Sequence, residues 1–238
     1  EVTVPELPVD PALYARTLLS AGYFEALGFS HEDRQRAELY RDNARRVALQ
    51  KQVGDLDAYL ASLNMCLTIQ PFDELGRARI VQLINKSNQF NLTTRRYTEA
   101  EVARIEDDPS ALGLQIRLAD SFGDNGMISV VICRASADAW AIDTWLMSCR
   151  VLGRKVELAL LAELALQARE RGIRRLLGEY LPTEKNGLVA AHYEQLGFDL
   201  VERQPSGRTR WQLDVEKARQ VALPMQVERR GFGADVAA

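Results

Sequence analysis

Histidine is nearly missing from this chain: His31 and His192 are the only two among 238 residues. No site that needs a histidine cluster can be built from them. Cysteine is sparse too, at Cys66, Cys133 and Cys149, separated by 67 and 16 positions. There is no C-x-x-C pair, which excludes a zinc ribbon, and a small odd set of thiols suits a reducing compartment. A basic excess is also lacking. Thirty Lys and Arg stand against 33 Asp and Glu, a formal charge of −3, which argues against a general nucleic-acid binder. No apolar run reaches the length of a membrane span. The opening Glu1-Val2-Thr3-Val4-Pro5 has neither the basic nor the apolar region of a signal peptide. The expectation is a cytoplasmic protein with no metal, no nucleic-acid partner and no membrane partner.

What is present is a globular composition, 47% hydrophobic and 26% charged, in a chain long enough to bury a sizeable core. Residues 2–4 read as a strand stub stopped by Pro5, and residues 6–11 as a linker. Asp10 before Pro11 is an N-cap with proline at the first helical position, so a helix is predicted to about Ser20. Ser30 with Asp33 resembles a capping box. It opens a long charged helix through Lys51, predicted to have few core contacts. A short helix covers Asp55 to Leu63. Residues 9–64 thus read as a helical connector.

The character changes at Asn64. Met65–Ile69 alternates and is bounded by Pro71, a strand signal. Helices are predicted at Glu74–Asn85 and Thr98–Glu106, the second opened by a Thr98/Glu101 capping box. Strands follow at Leu112–Leu118, Gly126–Arg134 and Ala139–Cys149, joined by turns at Asp124-Asn125-Gly126 and Ala135–Asp138. Arg154–Arg171 carries the strongest helical pattern, with Val156, Leu160, Leu164 and Ala168 in one row and Gly172 as its stop. A strand at Ile173–Leu181, a helix at Asn186–Leu196 and strands at Phe198–Glu202 and Arg208–Val215 complete the pattern. The strand–helix–strand order over 139–181 implies a right-handed parallel crossover. Residues 217–238 read as a flexible tail. The fold class is α/β with a mixed sheet.

One segment points to chemistry: Ser148-Cys149-Arg150-Val151-Leu152-Gly153-Arg154-Lys155-Val156. It joins a strand end to the start of the strongest helix, where unpaired amides bind anions. Gly153 permits close backbone approach, and Arg150, Arg154 and Lys155 add three positive charges with no acid between them. A phosphate site and a basic surface turn are the two readings.

Arg150-Val151-Leu152-Gly153 resembles the R/Q-x-x-G-x-G/A loop of the GNAT acyltransferase superfamily, which cradles the pyrophosphate of coenzyme A. Lys155 stands where that family has its second Gly or Ala. Tyr193-Glu194-Gln195-Leu196-Gly197-Phe198 is similar to the family's Y-x-x-x-G-F helix ending. Three segments narrow the resemblance to the FkbH family: Asn85-Lys86-Ser87-Asn88-Gln89-Phe90-Asn91-Leu92-Thr93-Thr94, Ser148–Arg154, and Gly178-Glu179-Tyr180 with Thr183-Glu184-Lys185-Asn186. Such proteins join a HAD-type phosphatase domain to a GNAT-like domain. They are associated with dephosphorylating 1,3-bisphosphoglycerate and loading a glyceryl unit onto an acyl carrier protein in polyketide-type biosynthesis. Val2–Pro8 resembles the end of the HAD domain, whose Asp-x-Asp nucleophile motif is absent here. The resemblance therefore implies the C-terminal part of a longer protein or a stand-alone relative. It divides the chain into the end of an upstream domain (1–8), the connector (9–64), a GNAT-like domain (65–216) and the tail.

Within that frame the resemblance implies coenzyme A or the phosphopantetheine of a carrier protein as cofactor. Arg150, Val151, Leu152, Gly153, Arg154 and Lys155 would hold it. A carrier arm has one phosphate and no nucleotide, which suits the bulk of Lys155. Cys149, at a positive helix end, reads either as a nucleophile of lowered pKa that carries an acyl group, or as a small buried hydrophobe. His192 is a general base or a helix residue without a role in the chemistry. Tyr193 is a general acid or a core aromatic. Asp143 and Glu179 flank the crossover helix and read as a base or as anchors for a substrate hydroxyl; by strand alternation Asp143 shares a face with Cys149, Trp145 and Met147 unless a bulge intervenes. Amides and hydroxyls at Asn88, Phe90, Asn91 and Thr93, with Thr183, Lys185 and Asn186, suit a small hydroxylated acyl group. An acetyl-coenzyme-A-dependent N-acetyltransferase and a non-catalytic docking module for a carrier protein are the alternative functions.

Overall fold

The computed structural model describes residues 6–20, 31–219 and 221–232, with backbone alone over 31–40. Residues 1–41 and 42–238 form two units. In the first, Asp10 caps a 3₁₀ turn at Pro11–Leu13, its side chain accepting from Ala12 N at 2.9 Å, and helix α1 (Tyr14–Ser20) follows. Helix α2 (His31–Val53) crosses the division; the Ser30 cap and the strand stub at 2–4 lie outside the described residues.

The second unit is a mixed eight-stranded sheet with helices on both faces. After α3 (Leu56–Ser62) the chain enters β1 (Met65–Pro71), then α4 (Glu74–Lys86) and α5 (Glu99–Glu106). The antiparallel run β2 (Ala111–Asp120), β3 (Gly123–Ser136) and β4 (Ala139–Met147) comes next. Helix α6 (Val156–Glu170) crosses to β5 (Arg175–Tyr180), which pairs parallel with β4. A 3₁₀ turn at Gly187–Val189 and short α7 (His192–Gln195) lead to β6 (Asp199–Arg203), β7 (Thr209–Asp214) and β8 (Met225–Arg229). The strand order is β6-β7-β5-β4-β3-β2-β1-β8. The expected α/β class, the meander and the crossover are all present.

Alternation sorts the strands onto two cores. Leu67, Ile116, Val131 and Trp145 pack with α6 and α7 on one face, while Val130, Ile132 and Leu146 pack with Ile80, Ile84 and Val102 of α4 and α5 on the other. The Thr98/Glu101 capping box forms as expected.

Four readings are corrected. The β2–β3 turn is Ser121-Phe122, because Asp120 pairs with Gly123; the Asp124-Asn125-Gly126 triplet lies inside β3. Asp120 accepts from Phe122 N at 2.9 Å and from Asn125 Nδ2 at 3.1 Å, which closes the turn two residues early. The connector is no bystander after residue 42: Tyr59, Leu60 and Leu63 are core residues and Arg46 is buried. Residues 217–238 are not simply a tail. β8 runs parallel to β1 from Met65↔Met225 to Ile69↔Arg229, Met225 and Val227 pack on the core, and Arg229 pairs with Glu163 at 3.1 Å. Finally, the helix predicted over Asn186–Leu196 is a 3₁₀ turn and one short α-turn.

Candidate functional site

The site begins where the sheet opens. β4 and β5 are paired only at Ala139↔Arg175, Trp140↔Leu176 and Ala141↔Leu177, although β4 continues to Met147 and β5 to Tyr180. The separation coincides with a bulge. Ile132 faces Thr144 and Cys133 faces Ile142, so Asp143 is an extra residue. The bulge turns Asp143 away from the face it would share with Trp145 and Met147. Its carboxylate accepts from Tyr97 Oη, Arg95 Nη1 and, at 3.2 Å, Thr144 Oγ1; Arg134 Nε lies 3.8 Å away. Glu179 accepts from Arg208 Nε at 2.8 Å and from Arg95 Nη2 at 3.5 Å. Both carboxylates are thus engaged by guanidinium groups, Arg95 bridging the two.

The segment between α4 and α5 fills the opening. Met147 N donates to Phe90 O at 3.1 Å and Leu92 N donates to Trp145 O at 3.2 Å, so residues 90–92 pair with β4. On the far side Leu181 N donates to Leu92 O at 2.9 Å, and Asn186 Nδ2 donates to Asn91 O at 3.0 Å and Leu181 O at 2.9 Å. Thr93 Oγ1 donates to Asp143 O at 2.9 Å. The Asn91 side chain accepts from Thr94 N at 2.8 Å. Asn91, Thr93 and Asn186, expected at a substrate, are all buried and hold backbone instead. Thr94 carries the strain of the insertion, with φ +53° in a β-branched residue.

Beside this segment lies a cavity of about 350 Å³, walled by Lys86, Asn88, Phe90, Ser148, Cys149 and Lys185 among others. A second hollow of about 370 Å³ shares Asn88 and Lys185 with it and reaches Thr183 and Arg96. The groove therefore unites Cys149, Asn88, Phe90, Lys185 and Thr183, residues distant in sequence. Cys149 is exposed and starts a 3₁₀ turn (Cys149–Val151) whose N-cap is Ser148; Ser148 Oγ accepts from Arg150 N at 3.4 Å and Nε at 3.2 Å.

The loop that follows leads into α6. Val151 is buried in the core and Leu152 packs against it, so their role here is anchorage. Gly153 has φ +76° with open space around its Cβ position, so conformation rather than crowding calls for glycine. Lys155 is left-handed as well, φ +61°, and its Nζ donates to Asp57 Oδ1 at 2.6 Å. Arg154 does not face the loop's outer side. It is buried, donating to Asp120 Oδ2 at 2.9 Å and to Arg150 O at 3.0 Å. Asp120 also receives Arg46 through two bonds of 2.8 Å. Burial alone would raise the Asp120 pKa, but the bonds from Arg46, Phe122 N and Asn125 outweigh it and hold the group below the usual carboxylate range. Burial and the charge of Arg46 lower the pKa of Arg154. Of the three cations expected at an anion, Arg150 is the one with no carboxylate partner among the described residues, its Nη2 donating to Asn125 O at 3.4 Å.

His192 and Tyr193 face inward. His192 meets Phe90, Trp145 and Tyr193 edge-on, at centroid separations of 5.1, 4.8 and 5.7 Å, and burial pulls its pKa down to about 4. Burial pushes the Tyr193 phenol up. Among the described residues, Trp145 Nε1 and His192 Nε2 are buried without hydrogen-bond partners, and a bond from the Glu179 backbone offsets part of the burial of the Tyr193 phenol. Sequence reasoning passed over Arg95 and Tyr97, which follow the Asn85–Thr94 block directly, and Lys86 and Ser148, which sat inside quoted motifs without being singled out. Among the described residues no group of three His, Cys, Asp or Glu could hold a metal ion, and no helix is long and apolar enough to cross a membrane.

No family model matches the sequence, and no curated protein matches it. Solved structures do. A GNAT-family acetyltransferase from Streptococcus pneumoniae is similar over 62% of this chain and 98% of its own, at 17% identity and a TM-score of 0.50. The GNAT domain of S. lividans PAT is similar over 61% and 89%, at 23% identity and a TM-score of 0.48. Spermidine N-acetyltransferase from Vibrio cholerae, in complex with CoA and spermine, is similar over 64% and 97%, at 11% identity and a TM-score of 0.49. The first of these likenesses shows the fold: the sheet and helices of the second unit have the GNAT arrangement.

Proposed function

We propose that this chain is a GNAT-fold acyltransferase acting on a pantetheine thioester. It would load a glyceryl unit, from a donor derived from 1,3-bisphosphoglycerate, onto an acyl carrier protein. The observation that carries the reading is the placement of Cys149. Cys149 is exposed on the wall of a groove lined by lysines, amides and serine hydroxyls, at the start of the 3₁₀ turn and loop that lead to α6.

The chemistry is two acyl transfers. The Cys149 thiolate attacks the donor's acyl carbon; a C–S bond forms, the bond to the leaving group breaks, and the electron pair departs with it. The thiolate of the carrier arm then attacks the Cys149 thioester and Cys149 leaves as thiolate, the arm's proton passing to water in the open groove. In this reading backbone amides stabilise the oxyanion of each step. Asn88 and Ser148 suit the glyceryl hydroxyls, and Lys86 and Lys185 suit an anionic donor. Arg150 is the loop cation for the single phosphate of the arm. His192 and Tyr193 have no part in this scheme, since both are shut away from the groove. Asp143 and Glu179 act as anchors for Arg95. A HAD-type phosphatase domain preceding this chain would supply the dephosphorylated unit.

The test is intact-mass analysis of residues 1–238 after incubation with glyceryl-S-pantetheine and holo carrier protein. One glyceryl unit should appear on Cys149 and then on the carrier. Cys149→Ser should lose both while keeping its melting temperature. Undiminished transfer by Cys149→Ser would overturn the covalent scheme.

A further inference from the structure

We propose that Asp120 and Arg46 are positioning residues for the loop after Cys149: acting through Arg154 and Asn125, they fix where the Arg150 guanidinium stands beside that thiol. This rests on the reading of Arg150 as the loop cation, and it adds what aims the cation.

The loop does not fix itself. Gly153 sits at φ +76°, and beyond its chain neighbours nothing lies within 4 Å of the place its Cβ would take. Crowding therefore does not hold the backbone there. Hydrogen bonds from behind do, and they converge on Asp120, whose side chain is shut off from solvent. Two routes lead from this carboxylate to Arg150. In the first, Arg154 Nη1 donates to Asp120 Oδ2 at 2.9 Å while its other arm, Nη2, donates to Arg150 O at 3.0 Å. In the second, Asn125 Nδ2 donates to the same Oδ2 at 3.1 Å, and Asn125 O accepts from Arg150 Nη2 at 3.4 Å. One route holds the Arg150 backbone and the other its head group. Arg150 Nε also donates to Ser148 Oγ at 3.2 Å, and Ser148 lines the groove with Cys149. Arg46 orients the carboxylate itself. Its Nε and Nη2 each donate at 2.8 Å, one to each oxygen, and its guanidinium lies 5.6 Å from the Phe122 ring centroid. A planar fork on a carboxylate fixes direction as well as distance.

Stability alone does not call for such a cluster. Two buried guanidinium groups share one carboxylate, and apolar side chains of the same volume commonly hold a fold as well or better. Apolar packing lacks direction, however. It has no donor to offer Arg150 O, and no acceptor with which to place a guanidinium at a groove wall.

Charge-conserving variants of the full chain separate aim from charge. In Arg154→Lys the ammonium still reaches Asp120 but has no second arm for Arg150 O, and in Arg46→Lys the fork on Asp120 is lost. The readout is the ratio of Cys149 alkylation rates with iodoacetate and iodoacetamide, followed by peptide mass. One reagent is anionic and the other neutral, and the thiolate fraction cancels in the ratio. Arg150→Gln sets the scale: it should lower the ratio by about threefold, the effect of one unit charge within a few Å in water. Arg154→Lys and Arg46→Lys should approach the same low value although Arg150 and the net charge are retained. The wild-type chain gives a measurement that needs no variant. By nitrogen relaxation the Arg150 Nε should be as ordered as the sheet backbone. Wild-type ratios in both lysine variants, an unchanged ratio in Arg150→Gln, or a freely moving Arg150 Nε would each overturn the positioning role. None of these results would touch glyceryl transfer to Cys149. A chain that gives the expected ratios and never acylates Cys149 would instead overturn the functional reading and leave the positioning role standing.

Discussion

His192 should make this protein acid-labile in a defined window. Its imidazole is enclosed by Phe90, Trp145 and Tyr193, and burial pulls its pKa down to about 4 from an ordinary 6.5. Above pH 6.5 neither the folded nor the unfolded chain protonates this ring, and it contributes no pH dependence. As the pH falls below 6.5 the unfolded chain takes up a proton that the folded one refuses. Stability then drops by about 1.4 kcal/mol per pH unit, until the native ring also protonates near pH 4. Over the full window the loss is about 3 kcal/mol, a large part of the stability of a typical domain. Other groups titrate in the same range: burial raises the pKa of Glu157 and of Glu163, and Asp120 is held low by Arg46. Comparison with a His192→Phe variant cancels their effects, and phenylalanine fills the site without opening a cavity. Urea unfolding of both proteins between pH 4 and 7.5 should show Phe gaining on His by about 3 kcal/mol toward the acid end, with a constant difference above pH 6.5. Parallel curves across the whole range would refute the buried neutral ring.

Two further outcomes follow from the packing. Asp120→Ala strands the buried guanidinium groups of Arg46 and Arg154 beside each other and should cost about 3–5 kcal/mol in urea unfolding; a loss under about 1 kcal/mol would mean that water reaches them. The fragment 65–216 lacks Leu60 and Leu63, both fully buried, and the β8 strand. It should show no cooperative melt, whereas a sharp transition within about 10 °C of the full chain would return residues 42–64 to the role of connector.

How much was legible in the sequence depended on whether a signal was local. The α6 row of Val156, Leu160 and Leu164 and the Thr98/Glu101 box each lie within a few residues, and both formed as read. β8 offers only Met225 and Val227 as apolar alternates after Pro224, too short a pattern to stand alone; β1 supplies the missing partner. Asp-Asn-Gly is a fair turn signal, overridden because Asp120 bonds the turn two residues earlier. Arg154 read as a surface cation because its carboxylate partner is 34 positions away in sequence. In the site, Cys149 and Lys185 stood out as motif members, but the groove that joins them exists only through the fold. Asn91, Thr93 and Asn186 carried the right chemistry for a ligand and use it on the chain itself, a distinction that composition does not encode.

The pairing of β8 with β1 has a consequence for biosynthesis. β1 is the first strand of the sheet to leave the ribosome and β8 the last, with Met65 facing Met225 across 160 positions of sequence. Throughout translation of the intervening strands, the outer edge of β1 has no native neighbour. Such an edge is a template for strands of other nascent chains. The alternation at Met65–Ile69 gives it one apolar face with few charges to deter them. The length of that exposure is therefore set by elongation speed between residues 72 and 224. Slowing the ribosome there should raise the aggregated fraction without altering the stability of the finished molecule.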